Sequence, residues 1–175
     1  MYAFEARIQV RPAEALDGAR VTLRGGTYGT LDIRPAMLAS AVFPITFEQA
    51  EAALAALPRL FIEPDGSFVW VAARAWQADT TPGLTPQGSP GDAARAWQVD
   101  GQLYDRHGRL IYIEVRGKSP KDAFDHLLRA FGWPDATLVF QLIHEAVYLD
   151  ETGFRRYAAA SAGGGGIPID REAAS

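Results

Sequence analysis

The sequence predicts an α+β fold: a two-layer sandwich with a mainly antiparallel sheet of about six or seven strands and two or three helices packed on one face. Three observations lead to this prediction. Apolar residues alternate with period two near the N-terminus. Two later segments repeat apolar residues at helical spacing and begin with capping residues. Turn residues separate pairs of segments rich in aromatic and β-branched residues, which is typical of β-hairpins.

The first part of the chain is expected to form strands. Residues 2–10 alternate apolar and polar side chains, which predicts a half-buried strand. Residues 19–24 repeat the alternation after a turn marked by Asp17 and Gly18. A weaker third strand is expected over residues 28–34.

The first helix is predicted over residues 45–57, a segment rich in Ala, Glu and Leu. Thr46 lies where an N-cap is expected, and Gln49 follows three residues later as its capping-box partner. Pro58 is expected to end the helix.

The second helix is predicted over residues 119–131, with Ser119 as the N-cap and Pro120 in the first helical position. Gly132 is a plausible C-terminal cap. The apolar stripe expected to face the core consists of Ala123, Phe124, Leu127, Leu128 and Phe131.

Two hairpins are expected between the helices. Residues 61–71 form a strand, a Pro-Asp-Gly turn and a second strand, and residues 97–117 form another hairpin with its turn around 105–108. The segment after residue 137 fits either a strand or a helix. We expect a short strand over 137–141 that runs into a helix, because four polar residues then share one helical face: Gln141, His144, Glu145 and Tyr148.

Composition limits the class of protein. The 175 residues fit one domain over 1–162, followed by a flexible glycine-rich tail over 163–175. The sequence has no cysteine, which excludes disulfides and thiolate sites. The net charge of −4 disfavours non-specific nucleic-acid binding. We see neither a signal-peptide pattern nor an apolar run of about 20 residues, so we expect a cytoplasmic protein without a membrane span.

Two nearly identical octapeptides stand 21 positions apart, AARAWQAD at 72–79 and AARAWQVD at 93–100. Their identity does not extend in either direction, so a duplicated unit is not indicated. We interpret them as strands of one sheet, with tryptophans that are either core residues or part of an exposed aromatic surface. The residues proposed for a partner-binding surface are Trp70, Arg74, Trp76, Arg95, Trp97, Tyr104 and Tyr112.

The sequence carries no recognisable catalytic pattern: it has no nucleophile elbow, no phosphate-binding loop and no pair of histidines at zinc-ligand spacing. We recognise no family in it. The leading hypothesis is therefore a non-catalytic binding module, such as an adaptor, an inhibitor or an immunity-type partner. It would bind a protein partner or a second copy of itself, with no cofactor and no metal.

Two other hypotheses remain open. The first is a small-ligand binder or an enzyme with a site around His144 and Glu145, and with Arg116 or Arg74 as an anion contact. The second, which the net charge disfavours, is a nucleic-acid binder that uses basic side chains of the C-terminal half: Arg106, Arg109, Arg116, Lys118, Arg155 and Arg156.

Overall fold

A computed structural model describes residues 1–71 and 97–163 of the chain, which form a nine-stranded sheet and four helical segments. The strands are β1 Tyr2–Val10, β2 Leu16–Leu23, β3 Gly26–Asp32, β4 Leu60–Ile62, β5 Ser67–Val71, β6 Gln98–Arg106, β7 Arg109–Ser119, β8 Leu138–Leu142 and β9 Val147–Asp150. The helices are α1 Pro35–Leu38, α2 Phe47–Ala55, α3 Lys121–Arg129 and α4 Glu151–Gly163. The strand order is β2-β3-β9-β8-β1-β7-β6-β5-β4.

The pairings between these strands are antiparallel, as predicted, and helices pack against the sheet. The expected six or seven strands are too few, because the sheet has nine. The octapeptide at 72–79 and residues 93–96 of the second one lie outside the described residues. The last three residues of the octapeptide at 93–100 belong to β6. The predicted tail over 163–175 also lies outside the described residues, except for Gly163, which is the last residue of α4.

The prediction of a helix after residue 141 was wrong. Residues 138–150 form the β8–β9 hairpin, and α4 begins only at Glu151. Gln141 and Tyr148 are cross-strand partners, and Ala146 takes a left-handed φ of 54° in the turn between the strands. The helical spacing of the polar residues is therefore a coincidence, since residues placed symmetrically about a tight turn also meet on one face of a hairpin.

Helix capping agrees with the sequence at α2 but not at α3. Thr46 Oγ1 accepts a hydrogen bond from the Gln49 backbone N–H, and Gln49 Oε1 accepts one from the Thr46 N–H, which completes the predicted capping box. Ser119 is not a cap. It is the last residue of β7, its hydroxyl is buried without a hydrogen-bond partner in the described structure, and Pro120 takes the N-cap position.

We expect Thr46→Ala to lower the free energy of unfolding by about 1 kcal/mol, because the backbone N–H of Gln49 would lose the Thr46 hydroxyl as its acceptor. Thr46→Ser keeps the hydroxyl and serves as the matched control, for which we expect a much smaller change. Urea unfolding of the three proteins measures both values. Equal stability of the alanine variant and the wild type would show that this capping box contributes nothing.

Tight turns and a bulge determine how the β6–β7 hairpin presents its side chains. His107 and Gly108 connect the strands with φ values of 55° and 75°, as a type I′ turn requires. The Asp105 carboxylate accepts a hydrogen bond of 2.8 Å from the Gly108 N–H and holds the turn. The register then shifts by one residue, so that Ile111 is the extra residue of a bulge and Tyr112 pairs with Tyr104.

The two faces of the sheet differ in character. One face, here called the core face, carries buried apolar residues such as Phe4, Ile8 and Phe140. Phe124 of α3 and Phe154 of α4 contact these residues, with ring centroids 5.1 Å from Phe4 and 4.1 Å from Phe140, respectively. Each helix within residues 1–71 and 97–163 lacks the length or the hydrophobicity that a transmembrane span requires.

Candidate functional site

The opposite side of the sheet, here called the polar face, carries rows of charged, amide and aromatic side chains. Because directly paired residues point to the same side, the register defines one row across four central strands: Gln141, Arg7, Glu114 and Gln102. A second row contains Glu5, Arg116 and Asp100. At the β6–β7 pair, Tyr104 stands opposite Tyr112.

Four of these residues form a compact group, which we call the tyrosine–arginine cluster: Arg7, Tyr104, Tyr112 and Glu114. The Tyr104 and Tyr112 rings are stacked, with centroids 4.3 Å apart and an interplanar angle of 24°. The Arg7 guanidinium lies 4.2 Å from the centroid of Tyr112 and donates to Glu114 Oε1 over 2.6 Å. Tyr104 donates its hydroxyl hydrogen to Glu114 Oε2 over 3.3 Å. Each side chain is therefore held by two neighbours or more.

The side chains of the cluster are partly exposed. The Arg7 and Glu114 side chains each retain 32% of their exposure. Partial burial raises the pKa of the Tyr104 hydroxyl, and the adjacent Glu114 carboxylate raises it further.

A hollow of about 280 Å³ adjoins the cluster on the polar face. Three carboxylates line it, those of Glu5, Asp100 and Glu114, beside a single guanidinium from Arg116. The Arg116–Asp100 contact is long at 3.9 Å, and the Arg116 side chain is 72% exposed. The hollow thus has an acidic lining that its own cation neutralises only in part.

The tryptophans described by the structure do not form an exposed surface. Trp70 lies on the core face and is only 5% exposed, and its indole N–H donates to the Pro58 carbonyl over 3.0 Å. Trp97 packs edge-on against it, with ring centroids 5.1 Å apart. The interpretation of Trp70 as a partner contact is thereby corrected, because pairing with Val99 directs its ring into the core. Three proposed surface residues lie outside the described residues: Arg74, Trp76 and Arg95.

The alternative site at the β8–β9 turn, predicted around His144 and Glu145, is not formed as a single group of side chains. His144 Nε2 lies 3.2 Å from Glu5 Oε2 on the polar face, with its side chain 73% exposed. Glu145 instead accepts a hydrogen bond of 2.8 Å from the Tyr157 hydroxyl of α4. Arg116 is the cross-strand partner of Glu5, which His144 contacts, whereas the partner of Glu145 lies on α4. His144 and Glu145 are adjacent in the turn, but their side chains contact different parts of the molecule.

The basic residues considered for nucleic-acid binding are spread over different parts of the molecule. Arg106 and Arg109 lie at the β6–β7 tip, and Arg116 and Lys118 lie further along β7. Arg155 of α4 is instead engaged in ion pairs, 2.6 Å from Asp125 and 2.9 Å from Glu151.

Arg7 and Glu114 are members of the cluster that sequence reasoning missed. They are 107 residues apart in the chain, and they meet only because β1 pairs with β7. The alternation of residues 2–10 does place Arg7 on the polar side of its strand, but no local signal identifies the strand opposite.

In the part of the chain that the structure describes, no group of three or more His, Cys, Asp and Glu side chains is arranged to hold a metal ion. The chain matches no family model, no curated protein and no solved structure.

Proposed function

We propose that this protein is a non-catalytic binding module whose protein partner docks on the polar face, over the tyrosine–arginine cluster. The observation that carries the proposal is the Tyr104–Tyr112 stack, at 4.3 Å between centroids, with Arg7 held against it. Tyrosine and arginine are enriched among the residues whose truncation most weakens protein–protein binding. Side chains already fixed by neighbours lose little entropy when a partner arrives.

We infer that α2, α3 and α4 form a single layer on the core face, which makes the fold a two-layer sandwich. Leu54, Phe124 and Phe154, one from each helix, belong to the same buried cluster as the core-face side chains. In this arrangement, the part of the polar face that α1 does not cover is the surface that a partner can reach.

The chemistry of the hollow beside the cluster indicates what the partner presents. Glu114 is already paired with Arg7, so the carboxylates of Glu5 and Asp100 would accept a lysine or arginine side chain. The net charge of −4 favours the approach of a basic surface. The proposed partner is therefore a protein with a basic side chain at the centre of its contact surface.

Affinity capture with matched variants tests this proposal. Tagged wild-type protein and the Tyr104→Ala/Tyr112→Ala variant are incubated with a lysate of the native cells, and captured proteins are quantified by mass spectrometry. We expect a stoichiometric partner on the wild type and at least about a tenfold loss on the variant, because two central contacts are removed. The control is Thr22→Ala/Thr27→Ala, an exposed cross-strand pair on β2 and β3.

The outcomes separate binding from folding. Each variant must first show cooperative thermal unfolding, so that loss of capture reflects the surface. Equal capture by the tyrosine variant and the threonine control would contradict the proposal. With the purified partner, Glu5→Lys/Asp100→Lys should weaken binding by about tenfold through charge repulsion, and unchanged binding would exclude a basic contact at the hollow.

A further inference from the structure

A second concave site lies beside the cluster, between α1 and the tip of the β6–β7 hairpin. It is a cavity of about 410 Å³, within the range of small-molecule sites. Exposed basic residues line one part of it: Arg106, His107 and Arg109. Leu38 and Val42 form an apolar part of the cavity wall. The lining given by the described residues contains no carboxylate, in contrast to the acidic hollow.

The two arginines are placed in an electrostatically unfavourable way. Arg106 and Arg109 are direct cross-strand partners next to the turn, and like charges in that relation destabilise a hairpin. Neither guanidinium forms an ion pair with a carboxylate of the described structure. One carboxylate oxygen of the nearby Asp105 is bound to the Gly108 N–H. An anion between the arginines would remove the repulsion.

Gln9 of β1 also lines the cavity and is only 6% exposed. Its Oε1 is shielded from solvent and accepts no hydrogen bond in the described structure. A buried amide without a hydrogen-bond partner is unfavourable by about 1–3 kcal/mol, and Gln9 lines the cavity, so a ligand hydroxyl that reaches this amide would relieve the cost.

We propose that this cavity binds a small organic anion, a carboxylate or a phosphate ester. Its head lies between Arg106 and Arg109, its apolar body contacts Leu38 and Val42, and a hydroxyl at its far end bonds the Gln9 amide. The bulge at Ile111 supports this assignment, because it turns Ile111 and Tyr112 together toward the cavity. The inference does not depend on the protein partner proposed above.

A probe series titrated into the ¹⁵N-labelled full chain at low salt tests each part of the assignment. The probes are 6-hydroxyhexanoate, hexanoate, 1,6-hexanediol and 6-hydroxyhexyl phosphate. We expect shifts in amides of β1, α1 and the hairpin tip, and about tenfold weaker binding of the diol, which lacks the anion. We also expect a preference of about fivefold for 6-hydroxyhexanoate over hexanoate. The phosphate arm shows which anion is preferred.

Variants assign these effects to residues. Arg106→Ala/Arg109→Ala should weaken 6-hydroxyhexanoate about tenfold, whereas Arg20→Ala/Lys118→Ala removes the same charge elsewhere and should leave binding unchanged. Gln9→Met should abolish the preference for the hydroxyl without lowering the melting temperature, since it also removes an unpartnered polar atom. The proposal would be overturned if the diol and the acid bound equally, or if the two double variants had equal effects. Shifts confined to other regions would also overturn it. The proposal would also be overturned if no probe bound at about 50 mM, because this concentration exceeds the dissociation constant expected for so small a ligand.

Discussion

Replacing Phe124 with alanine is expected to lower the free energy of unfolding by about 3–5 kcal/mol. The Phe124 ring is fully buried where α3 meets the core face. It packs against Tyr2, Phe4 and Phe154, with centroid distances of 5.5, 5.1 and 5.8 Å. Truncation would leave a cavity that these side chains of β1 and α4 cannot fill, and the loss would approach the whole stability of many domains.

Chemical denaturation measures this effect as a shift of the midpoint at constant slope. Leu16→Ala is the matched control, because Leu16 on β2 is 66% exposed and should change stability by less than about 0.5 kcal/mol. A loss below about 1 kcal/mol for Phe124→Ala would contradict the packing of α3 against this face.

Gly117→Ala is expected to lower the free energy of unfolding by about 3 kcal/mol. Gly117 of β7 has a φ of 137°, which L side chains rarely adopt. An added Cβ would meet the carbonyl oxygen of Gln98 and would lie 2.9 Å from the Cα of Val99. Both atoms belong to the backbone of β6, so the β6–β7 pairing must distort.

Gly29→Ala is the control for Gly117→Ala. Gly29 also lies in a strand, but a Cβ there would meet nothing within 4 Å. We expect its stability to stay the same or to rise slightly, since alanine restricts the unfolded chain more than glycine does. Thermal unfolding of both variants provides the comparison. Similar stability of the two would show that β6 and β7 do not approach as closely as described.

Local features of this fold were predictable from the sequence. The capping box of Thr46 and Gln49 depends on residues three apart, and the turns at 64–66 and 105–108 depend on a few neighbouring residues. The alternation in 2–10 reflects one strand with two different faces. In each case the chain carries the signal within one turn or one strand.

Long-range features were not predictable in the same way. The side of the sheet that Trp70 occupies depends on which face the helices cover, and the pairing of Arg7 with Glu114 depends on strand order. The alternating pattern shows that two faces differ but not which elements cover them. The Tyr104–Tyr112 contact lies between these cases, because the hairpin was predicted whereas the bulge that places the rings opposite each other was not.

Site-specific photo-crosslinking locates the surface on which the partner docks. A benzoylphenylalanine is placed at Arg116 on the polar face or at Asp122 on α3, both exposed positions, and the protein is irradiated with its captured partner. Contact over the polar face predicts a covalent adduct of one defined mass from position 116 and none from position 122. An adduct from position 122 alone would place the partner on the helical side and contradict the account.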